Sequence, residues 1–155
     1  MVQVVNDATP NWGGRGFSMA ILRRWPQIQD EFRAWATSAP RCLSLGRLHV
    51  TEAEPQTRVA SLVAQRGYGP SASPRIRYGA LKEALEQLAK VAAEARAVVH
   101  MPRIGCGQAG GSWEVVEELL TMTLTAARVP VCVYDLPGLE RPMPPQRSLR
   151  WTTPN

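Results

Sequence analysis

The apolar positions of this chain change spacing several times, and each change predicts an element. Residues 1–5 (MVQVV) form a short apolar run, read as a strand, that stops at the turn formers Asn6-Asp7-Ala8-Thr9-Pro10-Asn11. Phe17, Ala20 and Ile21 open a helical face, which Pro26 interrupts. Pro26 suits the first turn of a second helix carrying Ile28, Phe32 and Trp35 at i, i+4 and i+7. Ser38-Ala39-Pro40 ends it. Two strands are expected next, over 43–50 and 58–64 (RVASLVA), joined by a polar connection with Glu52, Glu54 and Pro55. Residues 65–74 (QRGYGPSASP) hold too much Gly, Pro and Ser to be regular. The helix over 78–95 is the clearest, with Leu81, Leu85, Leu88 and Ala92 on one stripe and Lys82, Glu83, Glu86 and Lys90 outside it. Val98, Val99, Met101 and Ile104 predict a strand buried on both faces. A helix over 112–128 follows, with Val116, Leu119, Leu120 and Thr123 on one face. Ser112 stands at its N-cap position and Glu114 in its first turn. Residues 129–134 predict a last buried strand.

The order β, α, α, β, β, α, β, α, β points to a three-layer α/β/α domain with a mostly parallel central sheet. In such sheets ligands sit beyond the carboxyl ends of the strands. Two glycine-rich loops fall at that edge: Trp12-Gly13-Gly14-Arg15-Gly16-Phe17 after the first strand, and the loop carrying Gly105, Gly107, Gly110 and Gly111 after the strand at 98–104. Each joins a strand to a helix N-terminus, where glycine lets backbone N–H groups approach an anion and the helix dipole favours negative charge. Two such loops over one cleft suit a pyrophosphate better than a single phosphate. Neither reads G-x-G-x-x-G with an acidic residue at the right distance, and no G-x-x-x-x-G-K-[ST] is present. A Rossmann dehydrogenase and an ATPase are therefore unsupported.

Composition narrows the picture only a little. The 155 residues fit one domain over 1–137, followed by a tail over 138–155 rich in Pro and Arg and without periodicity. Arg147, Arg150 and Trp151 could touch nucleic acid there, or the tail could simply be solvated. A net charge of +5 permits an anionic partner without requiring one. Lys82 and Lys90 are the only lysines, so the arginine count reads as codon bias as much as function. Cys42, Cys106 and Cys132 are odd in number with no paired metal spacing, and His49 and His100 lie within strand patterns. Both facts argue against zinc and against a disulfide scaffold. No signal peptide or membrane span is apparent, so a soluble monomer in a reducing cytoplasm, with no metal, cofactor or membrane partner, is expected.

The pairing of VVNDATPNWGGRGFSMAI with VVHMPRIGCGQAGGSWEVVEELL resembles macrodomains, the ADP-ribose-binding α/β/α modules. It is most similar to the branch containing terminal ADP-ribose protein glycohydrolase and the macrodomain of the chromatin remodeller amplified in liver cancer. The MPRIGCG run looks like the first; the NDxxxxWGGRG loop and the LVAQ strand end look like the second. The likeness covers roughly residues 1–137. It implies Asn6 and Asp7 beside the distal ribose, and Trp12, Gly13, Gly14, Arg15, Gly16 and Phe17 along one side of the diphosphate. Gly105, Cys106, Gly107, Gln108, Ala109, Gly110, Gly111 and Ser112 would wrap the other side, with Tyr134, Asp135 and Leu136 near the adenine. Most members carry one or two strands before the one at Met1, with an acidic residue that reads the adenine amino group; this sequence starts without them.

The resemblance also implies chemistry, with two departures. The glycohydrolase works through a lysine and an aspartate, and those positions hold Gln65 and Ala109 here. Arg66 cannot replace the lysine, because its guanidinium stays protonated. Hydrolysis of an ADP-ribosyl linkage remains open to a water held against the substrate's own phosphate, with Asn6, Asp7 and Gln65 as the candidate catalytic groups. Asp7 is the only carboxylate in the two loops; it would orient the water or cap the turn. Cys106 is read as a packing residue. The implied partners are ADP-ribose with ADP-ribosylated protein, or ADP-ribosylated DNA. A non-catalytic reader of ADP-ribose or poly(ADP-ribose) is the alternative, and a phosphatase on ADP-ribose-1″-phosphate the third reading.

Overall fold

The structure, a computed structural model, describes residues 1–12 and 14–135. Gly13, Leu136 and the tail over 138–155 lie outside the described residues. The chain runs β1 (Val2–Asn6), α1 (Gly16–Arg24), α2 (Gln27–Ser38), β2 (Leu48–Glu54), β3 (Thr57–Gln65), α3 (Tyr78–Glu94), β4 (Val99–Pro102), α4 (Trp113–Leu120) and β5 (Val131–Tyr134). This is the expected order of elements. The strands form two ladders. β1 and β2 flank β3, parallel and antiparallel respectively, while β4 pairs with β5 in parallel. β4 also contacts β1, which brings the two ladders side by side.

β3 explains the layering. Val59 and Val63 face a cluster with Ile21, Trp25, Ile28 and Phe32 of the α1–α2 segment, whereas Ala60, Leu62 and Ala64 face Leu81, Leu85, Val116 and Leu120 of α3 and α4. A strand with helices on both sides reads as a continuous apolar run, and all six residues from Val59 to Ala64 are buried. Within this layer Gln3 donates to Ser61 at 3.0 Å, a buried polar pair between neighbouring strands.

Four expectations need correction. The second strand spans Leu48–Glu54 instead of 43–50, so Glu52 and Glu54 lie inside it and the turn falls at Pro55 and Gln56. β2 is an edge strand, where charged side chains reach solvent. Glu54 also accepts from Trp25 Nε1 at 2.8 Å, which gives a carboxylate a reason to sit there. β4 is buried on one face only: Val99 and Met101 are covered, His100 is half-buried and Val98 lies outside the strand, exposed. β5 is likewise not buried, because it has β4 as its one ladder neighbour among the described residues; Cys132, Val133 and Tyr134 are exposed. Finally, the helix over 112–128 is regular only to Leu120 and continues as a π-helical turn, Thr121–Thr125. Thr121 and Thr123 donate their hydroxyls to the carbonyls of Glu117 and Leu119, at 3.0 and 2.6 Å, and such back-bonding competes with the regular helix ladder.

His49 of β2 stacks on Trp35 at 4.6 Å between ring centroids, and its Nε2 lies 2.8 Å from the buried Thr51 hydroxyl. Burial lowers its pKa below the usual 6.5. The folded state therefore favours the neutral ring, and the unfolded chain takes up the proton first as pH falls. The resulting stability is complete above about pH 6.5 and is lost as pH drops through the lower folded value. The melting temperature should accordingly fall between about pH 7.5 and about pH 5, and less steeply in His49→Gln. Parallel melting curves would refute the assignment. Among the described residues no helix is long and apolar enough to cross a membrane.

Candidate functional site

Three loops converge at the carboxyl ends of β1, β3 and β4. The first is set by Asn6. The β1–β3 register shifts between Val5 and Asn6, so that Asn6 pairs with Gln65. Asn6 Oδ1 then accepts from Ala8 N and Thr9 N, both at 2.9 Å, closing the turn that aims the chain toward Trp12. Asn11 Oδ1 accepts from Arg33 Nε at 2.9 Å, which fastens the loop to α2. Trp12 packs on Phe32 at 5.7 Å, and its Nε1 is buried without a hydrogen-bond partner among the described residues. α1 opens at Gly16 with no side-chain cap and no acidic residue in its first turn, leaving the dipole's positive end uncompensated.

The second loop is closed at its base by Arg103. Its guanidinium donates to both carboxylate oxygens of Asp135, at 2.6 and 2.8 Å, and lies 5.1 Å from the Trp113 ring. The Asp135 hydrogen bond raises the Arg103 pKa further. Between Arg103 and Trp113, Gly111 N donates to Gly105 O at 2.8 Å and Gly110 N to Gly107 O at 3.0 Å. Ser112 stands at the N-cap of α4 without a side-chain cap bond. Its hydroxyl donates to Glu114, and its backbone N–H donates to the Tyr78 hydroxyl at 2.8 Å.

The third loop falls within residues 65–74, the stretch whose Gly, Pro and Ser content predicts irregular structure. It is tied to both of the others. Gly67 N donates to Asp7 Oδ1 at 2.7 Å, and Gly67 O accepts from Gln65 Nε2 at 2.8 Å. Ala109 O accepts from the N–H groups of Arg75 and Ile76, at 2.8 and 3.0 Å. The three loops therefore share one frame of backbone and side-chain hydrogen bonds.

They enclose a cleft of about 880 Å3. Of the residues singled out in the sequence, Asn6, Trp12, Gly14, Arg15, Gln65, Gln108, Ala109 and Gly110 line it. Asp7, Gly16, Phe17, Gly105, Cys106, Gly107, Gly111 and Ser112 belong to the same loops without lining the cleft. Tyr134 and Asp135 lie at the end of β5, outside the cleft wall; Tyr134 bonds to His100 and Asp135 to Arg103. Thr9, Asn11 and the wall from Tyr68 to Pro74 were missed. The wall's sequence signal is a glycine–proline loop at a strand's carboxyl end, and that of Thr9 and Asn11 is the run of turn formers after the first strand. Among the described residues no three His, Cys, Asp or Glu side chains gather as a metal site. A second hollow of about 770 Å3, lined by Val2, Trp25, Leu88 and His100 among others, includes no residue of the three loops.

No protein-family model matches the chain. A curated relative, chromodomain-helicase-DNA-binding protein 1-like from Mus musculus, is 32% identical over 82 residues; the match spans 53% of this chain but 9% of that protein. A solved macrodomain protein from Streptomyces coelicolor is 40% identical with a TM-score of 0.73, covering 87% of this chain and 86% of its own. A protein of unknown function from Bacteroides thetaiotaomicron is 36% identical with a TM-score of 0.80, covering 87% and 85%.

Proposed function

The chain belongs to the macrodomain family, and from that premise we propose that its cleft binds ADP-ribose and hydrolyses ADP-ribosyl linkages. The released carrier would be a protein modified on acidic side chains, or modified DNA. The observation that carries the reading is that both glycine loops line one cleft at the carboxyl edge of the strands. A diphosphate between them would meet backbone N–H groups from two sides and the uncapped N-terminus of α1. Asn6 and Gln65, paired across the strand ends, line the cleft where the distal ribose would stand. Here water attacks C1″, forming a C–O bond as the bond to the carrier breaks, and its proton passes to a base in the first loop. Asp7 is the carboxylate there. Its side chain stands outside the cleft lining with Oδ1 engaged by Gly67 N, so its second oxygen would serve only a water that sits against the first loop.

A non-catalytic reader is the second reading, and two observations favour it. The side chains of Asp7 and Gln65 both hold the backbone of Gly67 in place, through its N–H and its carbonyl respectively. Ala109, at a position where catalysis would want a carboxylate, is buried.

Calorimetry should give ADP-ribose a micromolar or tighter dissociation constant, about −8 kcal/mol, and clearly better binding than AMP. Equal affinity for AMP and ADP-ribose would remove the diphosphate from the cleft. Release of free ADP-ribose from mono-ADP-ribosylated protein or from ADP-ribosylated DNA separates hydrolase from reader; release from neither leaves the reader.

A further inference from the structure

We propose that Tyr68 is the specificity-determining contact for the group to which ADP-ribose is attached, an inference that rests on the reading of the cleft given above. Tyr68 lines the cleft yet is 65% exposed, the most exposed large apolar side chain among the described residues. Nothing in the core accounts for it: it belongs to neither apolar cluster.

The backbone on both sides of it is nevertheless firmly held. Gly67 and Gly69 flank it with φ of +61° and +86°, conformations an L-residue adopts rarely. The Gly67 backbone is gripped by Asp7 and Gln65. On the other side, Arg75 donates to Gly69 O at 3.1 Å and to Pro70 O at 2.9 Å, while a third bond reaches Arg66 O at 3.1 Å. A guanidinium spent on three carbonyls makes a rigid staple, because its planar fork fixes all three acceptors at once. Ordering a loop around a side chain that buries little surface works against folding. The arrangement makes sense when that ring completes a contact only with a bound molecule.

The nucleotide itself lies against the glycine loops, whose polar backbone groups are what a diphosphate needs. Tyr68 stands instead on the third wall, solvent-exposed and three residues beyond Gln65. On the reading above Asn6 and Gln65 stand beside the distal ribose, so Tyr68, three residues beyond Gln65, would meet the substituent on that ribose. An exposed aromatic face packs on a planar or apolar group of such a carrier.

The test compares free ADP-ribose with a peptide and a short single-stranded DNA, each bearing ADP-ribose through a non-hydrolysable linkage. Tyr68→Ala should weaken the linked ligand the wild type prefers by about tenfold, the scale of one aromatic stacking contact. Its affinity for free ADP-ribose should stay within about twofold of wild type, and Tyr68→Phe should keep the wild-type ratio, since the ring face is what matters. An unchanged linked-to-free ratio in Tyr68→Ala overturns the proposal, as does an equal loss on free ADP-ribose. If the wild type binds neither form, the reading of the cleft falls and this proposal with it. If the wild type binds both and the ratio ignores Tyr68, this proposal alone falls.

Discussion

Asp7→Asn should leave ADP-ribose affinity within about twofold of wild type while slowing single-turnover release of ADP-ribose by about a hundredfold, the usual scale for losing a positioned base. The choice of asparagine follows from the geometry. Asp7 Oδ1 accepts from Gly67 N, and an amide oxygen in the same place can still accept that bond, though without the carboxylate's charge. The substitution therefore removes the charge and keeps the anchor. Asp7→Ala removes both, so a loss of turnover there says nothing about base catalysis by itself. Asn6→Ala should damage binding and turnover together, because it strips acceptors from Ala8 N and Thr9 N and loosens the first loop. Gln65→Ala should cost less than Asp7→Asn in turnover, since an amide is no base at neutral pH and Gln65 supplies one bond to Gly67 O. Full turnover in Asp7→Asn would rule out water activation by the first loop. The readout is quenched single-turnover release, alongside product affinity by calorimetry.

The elements of this fold were legible in the sequence where burial is two-sided. The run from Val59 to Ala64 and the Leu81, Leu85, Leu88 stripe are unambiguous because helices or strands cover them completely. Two of the misread strands, β2 and β5, have one ladder neighbour each among the described residues. Glu52 and Glu54 look like loop residues, but an edge strand can send charges to solvent, so polarity there does not end a strand. Val133 and Tyr134 look buried by composition, yet burial depends on what lies beyond β5, which local spacing does not encode. The site divides in the same way. The glycine loops announce themselves because their glycines cluster between a strand and a helix. The third wall does not, because its place is set by long-range bonds such as Asp7 to Gly67 and Ala109 to Arg75, between residues far apart in the chain. Asp135 is the sharpest instance. The family resemblance places it near an adenine; in the fold its two oxygens also meet Arg103, a pairing that exists only once β4 and β5 lie side by side.

The second loop offers the other large effect, and two glycines there should respond in opposite ways. A Cβ at Gly111 would lie 2.7 Å from the Gly105 carbonyl oxygen, which is backbone and is itself the acceptor for Gly111 N. No side-chain rotation relieves that contact, so Gly111→Ala must open the loop. Affinity for ADP-ribose should fall by about a hundredfold or more, equivalent to about 2.7 kcal/mol, together with a lower melting temperature. A Cβ at Gly107 meets nothing within 4 Å. Gly107→Ala should therefore fold and bind much as wild type does. Gly107→Glu should also melt with the wild type, yet it should abolish binding: residue 107 does not itself line the cleft but adjoins Gln108, which does, and the longer side chain would carry its carboxylate toward the diphosphate path and repel it. Calorimetry with ADP-ribose and thermal melts on all three variants decide the matter. If Gly107→Glu melts normally and still binds, the diphosphate does not pass residue 107. If it unfolds, the glycine is there for the loop's own geometry. Were Gly111→Ala to bind normally, the loop would be flexible enough to absorb a backbone clash, and its role as a preformed diphosphate cradle would be wrong.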